Sequence, residues 1–131
     1  WEMYMNGPDS FEQELLKLVR EDSRYPIQAY YFIYEALEYA QKRLGRKGHV
    51  NGTELALCIR EMAIEQFGML SMTVFDCWNV DSTDDFGELV FKLIEAELLK
   101  KTPDDKKEDF FDVYGFEEAF APEVIESAIH E

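Results

Sequence analysis

The first part of the chain carries apolar side chains at helical spacing in two successive segments. In the first segment, a capping box that starts at Ser10 predicts a helix over residues 10–21. In the second, Pro26 suits the first turn of a helix and Gly45 suits its left-handed stop. The apolar stripe between these signals contains Ile27, Tyr30, Ile33, Tyr34, Leu37, Ala40 and Leu44. Residues 10–48 are therefore predicted to form a pair of N-terminal helices.

A third helix is predicted after residues 49–51, which have the composition of a short strand. Thr53 has the side chain of an N-cap, and Gly68 supplies a left-handed stop. The inner face of this helix contains Leu55, Ile59, Met62, Ala63 and Phe67. A short fourth helix follows over about 70–78, and Asn79 is expected to be its C-cap.

The fifth helix has a clear inner face that contains Phe86, Leu89, Val90, Leu93, Ile94 and Leu98. Ser82 or Thr83 caps it, and Asp84 and Asp85 lie in its first turn, where acids interact favourably with the helix dipole. Gly87 costs about 1 kcal/mol in a helix relative to alanine, which indicates a point of close packing.

A β-hairpin is predicted after the fifth helix. Turn-forming residues at 103–107 separate two short stretches, and the second of these, residues 110–114, is rich in strand formers. Residues 49–114 then follow the order short strand, helix, helix, turn, helix, hairpin, which is that of a winged helix. We therefore predict a mainly α fold with a small β-hairpin, in which an N-terminal helical pair precedes a winged-helix-like core.

The two ends of the chain fall outside this core. Residues 1–9 show no periodicity and are expected to be a flexible N-terminus or a remnant of expression. Residues 121–131 form an acidic C-terminal segment, in which Pro122 opens a short helix with apolar positions Val124, Ile125 and Ile129. A single domain is thus expected over residues 10–120.

The chain is strongly acidic, with a net charge of −15 over 131 residues. Residues 1–80 hold 8 basic and 12 acidic side chains, and residues 81–131 hold 5 and 16. Such a surface repels phosphate backbones at long range, which disfavours nucleic acid as a partner. Basic proteins, cations or plain solubility fit this charge better, and the expected partner is a protein, with self-association as an alternative.

The second helix holds more aromatic residues than one buried stripe needs. One interpretation is that the helix packs on two sides and leaves the tyrosine hydroxyls at the rim. The other is that the surplus rings anchor a protein partner, together with acids of the fifth helix. The candidate partner surface contains Tyr30, Tyr31, Tyr34, Tyr39, Asp84 and Glu88.

Nucleic-acid binding is the alternative, and it requires the basic patch at 42–49 to converge with basic residues of the wing. The candidate contacts are Lys42, Arg43, Arg46, Lys47, Lys100, Lys101, Lys106 and Lys107. The fifth helix would occupy the recognition position, yet over residues 83–97 it carries five acids and only Lys92 as a base. A major-groove reader needs the opposite charge there.

No catalytic, cofactor or metal site is predicted. Cys58 and Cys77 stand alone in apolar stretches, and His49 and His130 have no nucleophile at a recognisable spacing. The triplet that begins at Asp85 spells the magnesium-binding motif of protein kinases, but the other kinase motifs are absent. An enzyme is therefore the least favoured class of function.

Several runs of the sequence resemble a family of short conserved hypothetical proteins restricted to planctomycetes and verrucomicrobia. They are RYPIQAYYFIYEALEYAQKRLG (24–45), HVNGTEL (49–55), REMAIEQFG (60–68), VFDCW (74–78), DDFGELVFKLIEAELLKKT (84–102) and VYGFEEAF (113–120). The resemblance implies a bacterial cytosolic protein of this length and transfers no activity. Asn79 in place of glycine and Gly115 in place of an acid are departures that fall in turns.

These observations favour a non-catalytic protein-interaction or regulatory module on a winged-helix-like scaffold. No apolar run approaches the roughly 18 residues that span a bilayer, and the N-terminus lacks a signal pattern. We therefore expect a cytoplasmic protein that does not bind membranes.

Overall fold

Helices dominate the computed structural model, which describes residues 2–3, 8–45 and 49–129. The elements in chain order are β1 (Glu2–Met3), α1 (Pro8–Glu21), α2 (Ile27–Leu44), α3 (Gly52–Phe67), α4 (Ser71–Cys77), α5 (Thr83–Glu95), β2 (Leu99–Lys100), α6 (Phe116–Ala119) and α7 (Pro122–Ile129). Single 3-10 turns lie at Gly68–Leu70 and Lys107–Phe110. The predicted mainly α class is confirmed.

Helix α2 lies at the centre of the fold and packs against α3 and α5. Its predicted stop is confirmed, because Gly45 adopts a left-handed φ of 66°, whereas Pro26 is the N-cap rather than a residue of the first turn. The Gly45 N–H donates to the carbonyl groups of Gln41 and Lys42, which satisfies two acceptors at the helix end. Buried side chains occur on more than one face of α2, as expected for a helix packed on two sides.

The start of α3 differs from the prediction. Asn51 is the N-cap, since its Oδ1 accepts from the Glu54 N–H at 2.8 Å and Glu54 Oε1 accepts from the Asn51 N–H at 3.2 Å. Thr53 instead donates its hydroxyl to the carbonyl of Asp109 at 2.9 Å. The strand predicted at 49–51 is not formed, and Val50 is buried in the core ahead of the cap.

Phe75 of α4 holds the aromatic part of the core together. Its ring centroid lies between 5.3 and 6.0 Å from five other rings, which belong to Phe32, Trp78, Phe86, Phe116 and Phe120. The C-cap of α4 is Trp78 rather than the predicted Asn79, which follows it with a positive φ of 62°, and Val80 packs into the core. Four helices are joined through this one residue.

The N-terminus of α5 is fixed by Asp85, which is buried. Its two oxygens accept hydrogen bonds from the Arg24 guanidinium (3.1 Å), the Tyr25 hydroxyl (2.5 Å) and the Asp81 N–H (2.8 Å). A buried carboxylate is stable only when it is paired and hydrogen-bonded in this way. Burial, and then the hydrogen bond to Asp85, raise the pKa of the Tyr25 hydroxyl.

The hairpin predicted over residues 100–114 is wrong. Strand β2 pairs antiparallel with β1, and Lys107–Phe110 is a 3-10 turn. The physical reason is Phe110, whose ring is completely buried between α3 and α5. Two glycines make room for it: a Cβ on Gly52 would lie 2.9 Å from the ring, and one on Gly87 would lie 3.2 Å away. The close packing predicted at Gly87 is therefore present.

Both ends of the chain join the fold. Two of the residues expected to be flexible, Glu2–Met3, form β1, and α1 begins at Pro8 rather than Ser10. The C-terminal helix predicted from Pro122 is confirmed as α7, and its Ile125 is buried in the core. The acidic segment 121–131 is thus part of the packed structure over its described length, which ends at residue 129.

Candidate functional site

The tyrosines of the predicted partner surface do not form one surface. Tyr30 and Tyr34 are buried in the core, and the Tyr34 hydroxyl donates to the Leu98 carbonyl at 2.5 Å. Burial raises the pKa of Tyr30 to about 12. Tyr31 is exposed and Tyr39 is partly exposed. Most of the additional aromatic residues of α2 therefore belong to the core, because the helix is covered on two sides.

The two acids of that predicted surface are engaged within the chain. Asp84 is exposed, and its Oδ1 accepts from the Asp112 N–H at 3.0 Å. Glu88 forms an ion pair with Lys107 at 2.6 Å and lies 3.9 Å from the Arg24 guanidinium. These contacts hold the segment after β2 against α5.

The candidate nucleic-acid contacts are only partly free. Arg43 pairs with Glu61 at 3.2 Å, Lys101 donates to the Asp105 carbonyl at 3.2 Å, and Lys107 pairs with Glu88. Lys42, Lys100 and Lys106 are exposed, and Arg46 and Lys47 lie outside the described residues. His49 lies 3.8 Å from Asp105, so the loop after α2 does approach the segment predicted as the wing.

A large depression lies mostly outside these predicted residues, on the outward face of α3, and we call it the α3–α7 groove. It has a volume of about 960 Å³ and is lined by Tyr39, Arg43, Leu57, Arg60, Glu61, Ile64, Glu65, Gly68, Val124, Ala128 and Ile129. The α3 members recur at three- and four-residue spacing, so they form one face of the helix. The opposite face of α3, with Leu55, Ile59 and Met62, is in the core.

The floor of the groove is apolar, and its two walls come from α2 and α7. Leu57 is 46% exposed on the face of α3 that lines the groove, and Ile64 continues the same stripe two turns later. Val124 and Ala128 stand four residues apart and present one face of α7 to the groove. A Cβ on Gly68 would lie 3.6 Å from Cδ1 of Ile129, so α7 packs beside the end of the stripe.

Charges border the floor on both sides. Glu61 accepts hydrogen bonds at 3.2 Å from the Tyr39 hydroxyl and from Arg43, so this acid and this base neutralise each other. The hydrogen bond to Glu61 raises the pKa of Arg43, while partial burial and then Glu61 raise the pKa of Tyr39. Arg60 and Glu65 form no ion pair within the described part of the chain.

Arg60 and Glu65 lie on opposite edges of the groove. Glu65 follows Glu61 by one turn and interacts electrostatically with Tyr39, which places it on the α2 side. Arg60 follows Ala56 by one turn, and Ala56 accepts the hydroxyl hydrogen bond of Tyr114 at 2.7 Å. Burial raises the pKa of Tyr114, and the nearby Arg60 charge partly opposes this rise.

Exposed apolar residues continue from the groove along the following turn. Met69 and Leu70 are 53% and 62% exposed, and Met72 at the start of α4 is also exposed. Met72 lines a second depression of about 350 Å³, which we call the acidic depression. Its other lining residues are Asp76, Val80, Asp81, Gly115, Phe116, Glu117 and Glu118.

The described residues also bear on other classes of function, through their metal-ligating side chains, cysteine thiols and helix lengths. No group of three or more His, Cys, Asp and Glu side chains is arranged to hold a metal ion among them. Burial raises the pKa of the Cys58 thiol, which disfavours the nucleophilic thiolate. Within the same residues, no helix has the length and apolar character required to cross a membrane.

Comparison of the chain with protein-family models, curated proteins and solved structures finds no match. The resemblance to the planctomycete and verrucomicrobial family therefore stays a prediction. The function has to be argued from the geometry of the groove.

The sequence contained a signal for the groove that the predictions overlooked. Leu57 and Ile64 stand seven residues apart, on the face of α3 opposite to the inner face that was predicted. A helix with two apolar faces packs on two sides or leaves one side for a partner. The signal was missed because Arg60, Glu61 and Glu65 lie on the same face, and charged residues are typical of a solvent-exposed face.

Proposed function

We propose that the protein is a non-catalytic protein-interaction module that binds an amphipathic helix of a partner protein in the α3–α7 groove. The observation that supports the proposal most strongly is the apolar stripe from Leu57 to Gly68 between the walls of α2 and α7, in which Leu57 is exposed and Ile64 is half-buried. Exposed apolar surface that is concave and bordered by charges is typical of a helix-binding groove.

The dimensions of the groove favour a helix as its occupant. Eleven helical steps separate Leu57 from Gly68, which corresponds to about 16 Å or three helical turns. A partner helix of that length can present apolar side chains at one-turn intervals to Leu57 and Ile64 on the floor and to Ile129 of α7. The charged borders then fix its register and direction.

Three expectations from the sequence belong to this proposal. The order of α3, α4 and α5 supports a distant relation to winged helices, although the segment expected to form the wing packs into the core. The strong negative charge supports a protein partner over nucleic acid. A bacterial, cytoplasmic setting follows from the family resemblance and is part of what we propose.

Site-specific photo-crosslinking in the native cells tests this function. A photoreactive residue is introduced at Leu57 on the floor, at Ala128 on the α7 wall, and at Leu16 of α1 as an exposed control outside the groove. We expect the first two positions to crosslink the same partner segment, with an apolar stripe at helical spacing, and Leu16 not to do so. Equal crosslinking at all three positions, or none at the groove positions, contradicts the proposal.

A further inference from the structure

We infer that the partner helix is basic, and that its lysine- or arginine-bearing end lies over the acidic depression. This inference rests on the proposed function, since it describes the occupant of the same groove. It follows from three features of the surface. An apolar ridge extends from the groove, the acidic depression lies at the far end of that ridge, and the depression is negatively charged whereas the groove is balanced.

The apolar ridge consists of Met69, Leu70 and Met72. It begins next to Gly68, which lines the groove, and ends at Met72, which lines the acidic depression. Large exposed apolar side chains that follow one another in this way are unusual on the surface of a small protein. Methionine also adapts its shape to a partner, because its side chain is unbranched and flexible. The groove and the depression are thus two ends of one surface.

The acidic depression contains four carboxylates, and no basic residue from the described part of the chain lines it. Asp76 and Asp81 come from α4 and the loop that follows it, whereas Glu117 and Glu118 come from α6. Its remaining walls are the apolar side chains of Met72, Val80 and Phe116. Lysine and arginine have an apolar stem and a cationic tip, and such walls accommodate the stem while the carboxylates receive the tip.

The groove itself carries balanced charges. Arg43 is neutralised by Glu61, and the remaining Arg60 and Glu65 have opposite signs. A basic helix therefore meets no net attraction along the floor and a strong attraction at the depression. This difference gives the bound helix one direction, with its most basic end near Met72.

A second copy of the chain is a poorer occupant on the same grounds. Each copy carries a net charge of −15, and the described part of its basic patch at 42–49 offers only Lys42 and Arg43, of which Arg43 is paired with Glu61. A self-association would place acidic surfaces against each other. A partner with the opposite charge removes this repulsion and gains long-range attraction.

Three synthetic peptides of about five helical turns test the inference. The Lys-helix has a leucine stripe and a lysine-rich polar face, the Glu-helix has the same stripe with glutamates, and the third peptide is a shuffled Lys-helix without a stripe. Binding is measured by fluorescence anisotropy at low and high salt. The protein variants are L57E in the groove, D76N/E117Q in the depression, and E12Q/E14Q on α1 as a control with the same loss of charge.

The inference predicts that the wild type binds the Lys-helix more tightly than the other two peptides. D76N/E117Q should weaken this binding by roughly tenfold and reduce its dependence on salt, and E12Q/E14Q should change it by less than about twofold. Far-UV circular dichroism checks that each variant folds. Equal binding of the Glu-helix, or equal losses in the two charge variants, overturns the basic partner but leaves the groove intact.

Failure of the proposed function has a different outcome. If L57E binds the Lys-helix as tightly as the wild type, or if the shuffled peptide binds equally well, the groove does not hold a helix. If the wild type binds none of the peptides, the same conclusion follows. If the protein alone sediments as a dimer that L57E dissociates, the groove is occupied by a second copy, and the basic partner is overturned.

Discussion

The Tyr25 hydroxyl donates a hydrogen bond of 2.5 Å to the buried carboxylate of Asp85. The bond joins the loop after α1 to the first turn of α5, and the Arg24 guanidinium lies 5.0 Å from the Tyr25 ring centroid above the same carboxylate. The position of α5 therefore depends on a tyrosine that precedes it by 60 residues.

Tyr25→Phe removes one donor from Asp85 without changing the shape of the core. We expect the free energy of unfolding to fall by about 1–3 kcal/mol, because a buried acceptor loses a partner. Urea unfolding followed by circular dichroism measures the change. Tyr31→Phe is the matched control, since Tyr31 is exposed, and it should have little effect. Equal stability of Tyr25→Phe and the wild type would contradict the role assigned to this bond.

The ion pair between Asp22 and Lys92 makes stability dependent on pH. The hydrogen bond from Lys92, followed by that from the Arg24 N–H, lowers the pKa of Asp22. A carboxyl with a lowered folded-state pKa stabilises the protein above its unfolded pKa of about 3.9, and this contribution is lost as the pH falls through the folded value. Asp22→Asn should therefore be less stable than the wild type at about pH 6 and approach it at about pH 3.

Urea unfolding of Asp22→Asn and the wild type between about pH 3 and pH 6 measures how their difference in stability changes with pH. Glu12→Gln on α1 is the control for general charge effects, since Glu12 is exposed. A stability difference between Asp22→Asn and the wild type that stays constant with pH would show that the ion pair does not cause it.

The packing of Phe110 against two glycines gives a steric prediction. A Cβ on Gly52 would lie 2.8 Å from Cβ of Asp109 and 2.9 Å from the Phe110 ring, so Gly52→Ala must displace the buried turn. We expect a loss of about 1–3 kcal/mol in the free energy of unfolding. At Gly115 the closest atom belongs to the flexible end of Glu118, so Gly115→Ala should change stability by less than about 0.5 kcal/mol. A larger loss of stability in Gly115→Ala than in Gly52→Ala would contradict this explanation of the packing.

The helix ends could be predicted because their signals are local. Gly45, Gly68 and Asn79 all take a positive φ, and a short stretch of sequence is enough to recognise such positions. Asn51 was missed as the cap of α3 because Thr53, another good capping residue, stands two positions later. Thr53 is not the cap because its hydroxyl donates to the Asp109 carbonyl, which the local sequence does not reveal.

The hairpin and the groove could not be predicted, since both depend on contacts between distant segments. Phe110 has a high strand propensity, but its burial between Gly52 and Gly87 outweighs that preference. Likewise, Tyr30 and Tyr34 carry polar hydroxyls that fit a surface, and their burial involves residues of other segments, such as Phe11 and Leu98 around Tyr34. The groove exists because α7 packs beside α3, and the sequence of neither helix shows this contact.

Backbone NMR of the labelled protein during titration with the Lys-helix tests the central claim most directly. We predict chemical-shift changes that follow the outward face of α3 from Leu57 to Gly68, continue through Met72 and include Val124 and Ala128. The signals of α1 should stay unchanged. Changes spread evenly over the acidic surface, or centred on α1, would contradict the claim that the α3–α7 groove is the binding site.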